Sequence, residues 1–254
     1  MQYRLDIAYD GSDYVGWQIQ PNGVSIQSSV EAALSIVIRQ KTKVLGSSRT
    51  DSGVHADQQV ATFFYDGNLE LSETRVSLNA LLPKDIVVLS IEIVPNEFHP
   101  IGSSKQKIYC YKIWNDRKAP PKVELYRWAN GYKVDFGLMK EAAAQLTGEH
   151  DFRAFMASDG SALTTTRTLF DVQLFQDGLE ISLWFSGNGF LKQMVRAMVG
   201  TLFEVGLARM PVSHINTLLN NTDRTLAGPT APAKGLNLVQ INFDRVVPLC
   251  EIIH

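Results

Sequence analysis

The chain has 254 residues, 45% of them apolar and 20% charged, with a formal net charge of −2 at pH 7. That balance is ordinary for a globular protein, and the length admits one large domain or two smaller ones. It excludes a uniformly basic nucleic-acid binder, and the longest apolar run falls far short of a membrane span.

The N-terminal residues Met1-Gln2-Tyr3-Arg4-Leu5-Asp6 lead straight into an alternating strand pattern without the apolar block of a signal peptide. Tyr3-Arg4-Leu5-Asp6-Ile7-Ala8-Tyr9 alternates as a half-buried strand does and stops at Asp10-Gly11. Ile26, Val30, Ala33, Leu34 and Val37 recur at helical spacing, with Ser25 placed to cap the helix. Val44-Leu45 and Gln59-Val60-Ala61-Thr62-Phe63-Phe64 read as strands, a second helix spans residues 71–82 before Pro83, and residues 86–94 form a β-branched strand. The order is β-α-β-β-α-β.

The second half repeats it. Residues 107–114 alternate as a strand and residues 136–146 are Ala-rich and helical. Residues 168–175 and 179–185 form a hairpin across Gln176-Asp177-Gly178. A long helix follows over about 190–205, with Asn188 as its cap, and residues 236–243 close the pattern. Two such repeats predict an α+β protein of two ferredoxin-like halves, residues 1–101 and 102–254, with mostly antiparallel sheets joined around a central basic cleft.

Charge is unevenly spread. Residues 101–133 hold eight Lys and Arg against Asp116 and Glu124, a net +6 that leaves the remainder at −8. Tyr109, Tyr111, Trp114, Tyr126, Trp128 and Tyr132 are interleaved with these cations, and together they suit phosphate contact and base stacking. A solvated strand face with lysine stems laid along it is an equally good reading of the same residues. Cys110 and Cys250 are too few for a disulfide framework, so a reducing cytoplasm is expected. His55, His99, His150, His214 and His254 are scattered, and neither they nor the cysteines have metal-ligand spacing; no Gly-rich phosphate loop is present.

The most informative stretch is Ser47-Ser48-Arg49-Thr50-Asp51-Ser52-Gly53-Val54-His55-Ala56. Asp-Ser-Gly is turn chemistry, which fixes a carboxylate's direction, and Arg49 is close enough in sequence to keep Asp51 ionised. The stretch resembles the G-R-T-D-A-G-V-H-A signature of the TruA family of tRNA pseudouridine synthases, and seven of those nine letters stand here unchanged. Lys107-Ile108-Tyr109-Cys110-Tyr111 is similar to the family's R-x-Y-R-Y strand, and Asn188-Gly189-Phe190-Leu191-Lys192-Gln193-Met194-Val195-Arg196 to its N-x-F-x-x-x-M-V-R segment. Tyr9-Asp10-Gly11, Gly16-Trp17-Gln18, Phe98-His99, Arg167-Thr168 and Ala231-Pro232-Ala233-Lys234-Gly235-Leu236 also have counterparts in order.

The resemblance implies a cytoplasmic isomerase that converts uridine to pseudouridine at positions 38, 39 and 40 of the tRNA anticodon stem-loop. It implies Asp51 as nucleophile, Arg49 and Arg196 as its cationic partners, and Tyr109 packed on the target uracil. Lys107, Tyr111, Lys192 and Arg167 are the further substrate-binding candidates. No metal, redox or nucleotide cofactor is implied, and neither is a membrane; tRNA and a second copy of the chain are the expected partners. Ile101, Gln193 and Gln58 depart from the family letters at their positions and bear on substrate range. A non-catalytic RNA-binding protein on the same scaffold is the rival reading, and a small-molecule enzyme reusing the fold a remoter one.

Overall fold

The fold was obtained as a computed structural model and describes residues 1–129 and 131–253; His254 lies outside the described residues. In chain order the elements are β1 (Gln2–Tyr9), α1 (Ile26–Val37), β2 (Leu45–Gly46), β3 (His55–Phe64), α2 (Leu71–Leu81), β4 (Ile86–Val94), β5 (Gln106–Trp114), α3 (Pro121–Glu124), α4 (Phe136–Ala144), β6 (Gly148–Asp151), β7 (Thr166–Asp177), β8 (Glu180–Gly187), α5 (Met194–Gly206), α6 (His214–Leu219) and β9 (Leu236–Asn242). This is a mixed α+β protein whose strands pair mostly antiparallel. Among the described residues no helix is long and apolar enough to cross a membrane.

The chain divides into two compact units, Met1–Lys105 with Asn237–Asp244, and Gln106–Leu236 with Arg245–His254. In the first, β1 lies between β4 and β3, antiparallel to both, and β2 pairs with the far end of β3. Alternation makes one face of β1 the core: Tyr3, Leu5 and Ile7 are fully buried, and Tyr3 stacks on Phe63 with ring centroids 5.2 Å apart. Helix α1 starts at Ile26 because the Ser25 hydroxyl accepts from Ser28 N–H while the Ser28 hydroxyl accepts from Ser25 N–H. The register of β1 on β4 slips at Leu89, and Asn79 of α2 caps the disturbance, accepting from Val88 N–H at 2.8 Å and donating to Val88 O at 3.0 Å.

In the second unit β5, β8, β7 and β6 follow one another, all antiparallel. The hairpin turns through Gly178-Leu179, Gly178 having φ +56°, which is tighter than the three-residue turn expected. Helix α5 is buried nearly all round, as a central core helix must be to bury so many apolar residues.

Three expectations are corrected. Helix α5 begins at Met194, not near Phe190: Gln193 is left-handed at φ +59°, which no helix continues through, and the Asn188 amide oxygen accepts from Thr168 N–H instead of capping. Strand β3 begins at His55 because its first two residues pair parallel with Asn237 and Leu238 of β9. Residues 237–244 therefore belong with the first unit rather than closing the second. Strand β6 and the short helices α3 and α6 are additions with no clear periodic signal.

Candidate active site

In the first unit, residues 47–54 run from β2 to β3 as a loop held from both sides. Gln59 is fully buried on β3, and its side-chain amide donates to Ser48 O at 2.7 Å and accepts from Ser48 N–H at 3.2 Å. Thr50 is gripped twice, its carbonyl by Trp17 N–H at 3.1 Å and its hydroxyl by the Tyr9 hydroxyl at 2.8 Å. Val54 N–H donates to Asp51 O at 3.1 Å, closing a turn that needs the positive φ of Gly53, +77°. Two further glycines allow the neighbouring loop to press on this one. A Cβ on Gly11 would meet Val54 O at 2.0 Å, and one on Gly16, with φ +105°, would meet Thr50 O at 2.6 Å.

His55 fastens the far end. Its Nδ1 accepts from Gly11 N–H at 3.1 Å and lies 3.1 Å from an Asp10 carboxylate oxygen. Asp51 itself is half-buried at the turn, and Arg49 is exposed two residues before it. The result is a carboxylate on a backbone fixed by at least four non-local contacts. A group held this way needs little reorganisation before it attacks or accepts a proton.

The second unit carries the remaining candidates. Lys107, Tyr109 and Tyr111 alternate along β5 opposite Gly187, Phe185 and Leu183 of β8. Tyr109 is 6% exposed and meets the edge of the Phe190 ring at 5.0 Å. Lys107 is 8% exposed, and burial, with the nearby Arg167 charge, brings its pKa down to about 8. Arg167 is half-buried and donates from Nη1 to Thr164 O, Thr166 O and the Thr164 hydroxyl, at 3.0, 2.6 and 3.2 Å.

Arg196 donates from Nε to Ala231 O at 2.7 Å, and Ala231 N–H returns a bond to Arg196 O at 3.1 Å. Lys192 is exposed and pairs with Asp159 at 2.6 Å. Because it lies in the turn before α5, Lys192 does not share a helix face with Arg196 as their spacing suggests. Tyr111 has no exposed surface, and its hydroxyl donates to Pro232 O at 2.8 Å. It lies in the core of its unit.

The charge-rich segment is also more structural than its composition suggests. Lys112 and Arg127 both pair with Glu180, at 3.4 and 2.7 Å, Lys105 donates to Asp244 O, and Trp128 is buried against Phe203. Tyr126 and Tyr132 remain exposed. Of the departures, Gln58 donates to Asp6 at 2.7 Å and accepts from Ile241 N–H, so it links β9 to β1. Among the described residues no group of His, Cys, Asp and Glu is arranged to hold a metal.

Sequence reasoning passed over Tyr9, Gln59 and Phe190 as site supports. Gln59 had a signal, a long polar side chain at a position of β3 that the strand period points inward.

The profile of the family described as tRNA pseudouridine synthase matches residues 7–101 and 142–244. A tRNA pseudouridine synthase A from Geotalea uraniireducens (strain Rf4) is 42% identical over 242 residues, covering 95% of this chain and 99% of the relative. One from Geobacter sp. (strain M21) is 43% identical over 243 residues, with 95% and 98% covered. A tRNA pseudouridine synthase A 2 from Clostridium perfringens (strain 13 / Type A) is 41% identical over 241 residues, with 94% and 98% covered.

Proposed function

The chain belongs to the tRNA pseudouridine synthase family, and from that premise we propose that it isomerises uridine at positions 38, 39 and 40 of the tRNA anticodon stem-loop. It is an isomerase acting on tRNA. In the proposed reaction the target base leaves the stem, at an unpairing cost of a few kcal/mol. Phosphate contacts from Lys107, Arg167 and Lys192 and packing on Tyr109 offset that cost. Asp51 attacks the nucleoside at C1′ of the ribose or C6 of the base. The bond between N1 and C1′ breaks and the uracil turns; a bond from C5 to C1′ then forms, the bond to Asp51 is released, the proton on C5 leaves to solvent, and N1 takes up a proton. Arg49 and Arg196 are assigned to Asp51, because a carboxylate drawn out of water protonates unless a cation faces it. Two ferredoxin-like halves, a homodimer and a cytoplasmic location belong to the same proposal.

The observation that carries it is the braced turn at Asp51, where Gln59, Tyr9, Trp17 and Gly11 hold the backbone on either side of one carboxylate. The test is tritium release from unmodified tRNA carrying [5-³H]uridine, with Asp51→Asn beside the parent chain. Release by the parent chain and none by Asp51→Asn, with RNA binding retained, is the expected outcome. Equal release by both would remove Asp51 from the chemistry. A folded parent chain that binds tRNA but releases no tritium would support a non-catalytic RNA-binding role instead.

A further inference from the structure

The segment Ala231-Pro232-Ala233-Lys234-Gly235 has no part in the chemistry above, yet it is fitted closely to its surroundings. Gly200 of α5 admits Pro229 so closely that a Cβ there would lie 1.6 Å from Pro229 O. Gly228 N–H donates to the Thr201 hydroxyl at 3.0 Å, and Arg224 donates to Gly228 O and to the Thr230 hydroxyl at 3.0 and 2.9 Å. At Gly235 a Cβ would meet Tyr111 Cζ at 2.7 Å, so the segment also lies directly on the Tyr111 ring. Between these fixed points sits Ala231, both of whose backbone polar groups bond to Arg196. The next carbonyl, Pro232 O, takes the Tyr111 hydroxyl.

We propose that Tyr111 and residues 228–235 form a brace that aims the Arg196 guanidinium, so that Tyr111 is a positioning residue rather than a substrate contact. The inference rests on the assignment of Arg196 to the reaction. A guanidinium is planar, so fixing its Nε–H on Ala231 O sets the directions of both Nη groups. Ala231 O can hold that line only if the adjacent peptide does not rock, and Tyr111 donates to that peptide's oxygen. Burial pushes the Tyr111 phenol well above its ordinary value, against a smaller opposing pull from Arg196. It therefore remains a donor at any pH at which RNA is stable. Loss of the hydroxyl leaves the half-buried Pro232 O without that partner, a change that favours a shifted loop.

The test compares the parent chain with Tyr111→Phe by kcat and KM for tRNA isomerisation, and by hydrogen exchange of the Arg196 Nε–H in the RNA-free protein. The Nε resonance is assigned by its loss in Arg196→Lys. The expected result is a kcat lowered about tenfold with KM within about twofold, and Nε–H exchange about tenfold faster. An unchanged kcat overturns the proposal, as does a raised KM at constant kcat, which marks direct RNA contact, or an unchanged exchange rate. If Tyr111→Phe does not fold, Gly235→Ala pushes the same ring from the loop side and is read by the same two measurements. If the parent chain forms no pseudouridine, the functional reading fails by itself. The exchange measurement then still decides whether Tyr111 holds Arg196.

Discussion

Lys107 is a cation mostly buried along β5, and its titration is a stability statement. An ordinary lysine titrates near 10.5, whereas burial and the Arg167 charge bring this one to about 8. Below pH 8 the amine is charged in both states, and the folded protein bears the cost of the buried charge. Between pH 8 and 10.5 the unfolded chain keeps a proton that the folded one has released, so stability rises with pH across that window. A shift of this size corresponds to roughly 3 kcal/mol. Urea unfolding at pH 7.5 and pH 10 should show that rise in the parent chain and a flatter response in Lys107→Met. Gln59 is the other residue whose worth is calculable. In Gln59→Leu, Ser48 loses its bonds at both N–H and C=O inside the protein, so a loss of about 2–3 kcal/mol is expected in the same assay. Tritium release should fall further than that loss of stability explains, because Ser48 leads directly into the Asp51 turn.

Among the elements, α5 is the one whose sequence pattern misleads. Apolar residues at positions 190, 194, 198, 202 and 205 read as one stripe of a helix beginning near Phe190. The helix instead begins after Gln193, whose left-handed backbone turns the chain so that Lys192 O accepts from Ala157 N–H. Gly200, in the middle of α5, illustrates two opposed effects of known size. Gly→Ala in a helix interior ordinarily gains about 1 kcal/mol. At Gly200 the new methyl would overlap a backbone oxygen, Pro229 O, which no side-chain rotation relieves. Overpacking of this kind costs on the order of 3 kcal/mol and wins. Gly200→Ala should therefore lower the denaturation midpoint and disturb the loop that holds Arg196, measurable as faster exchange of the Ala231 amide. Helix α1 is the opposite case, since Ser25, Ser28 and the apolar spacing all stand within a few residues and its start was legible from them.

For the whole molecule, the organising fact is that the chain returns to its first unit after building the second. Strand β9 adds parallel to the start of β3, Asn237 donates to Asp57 at 2.6 Å, and Ile241 N–H meets Gln58. A chain ending after Gly235 loses all of these, together with the bonds from Lys105 to Asn242 O and Asp244 O. The expectation is that such a chain melts at lower temperature by circular dichroism, and that amides of β3 near His55 lose their exchange protection first. An unchanged melt would show that the first unit is complete without β9. The boundary expected near residue 101 missed this because β9 and β3 lie some 180 residues apart, and no local pattern encodes such a pairing.

The sequence by itself determined what depends on neighbours along the chain: strand alternation, the capped start of α1, the Asp51 turn and the family whose signature that turn carries. It also placed Arg196 and Tyr109 among the residues of interest through short motifs. Only the tertiary structure decided which side chains are spent internally. Tyr111 reads like Tyr109 at a strand period of two, yet its hydroxyl meets a carbonyl 121 residues away and its ring is fully buried. Burial and long-range hydrogen bonding are properties of chain segments brought together by folding, so a residue's neighbours in sequence carry little trace of them.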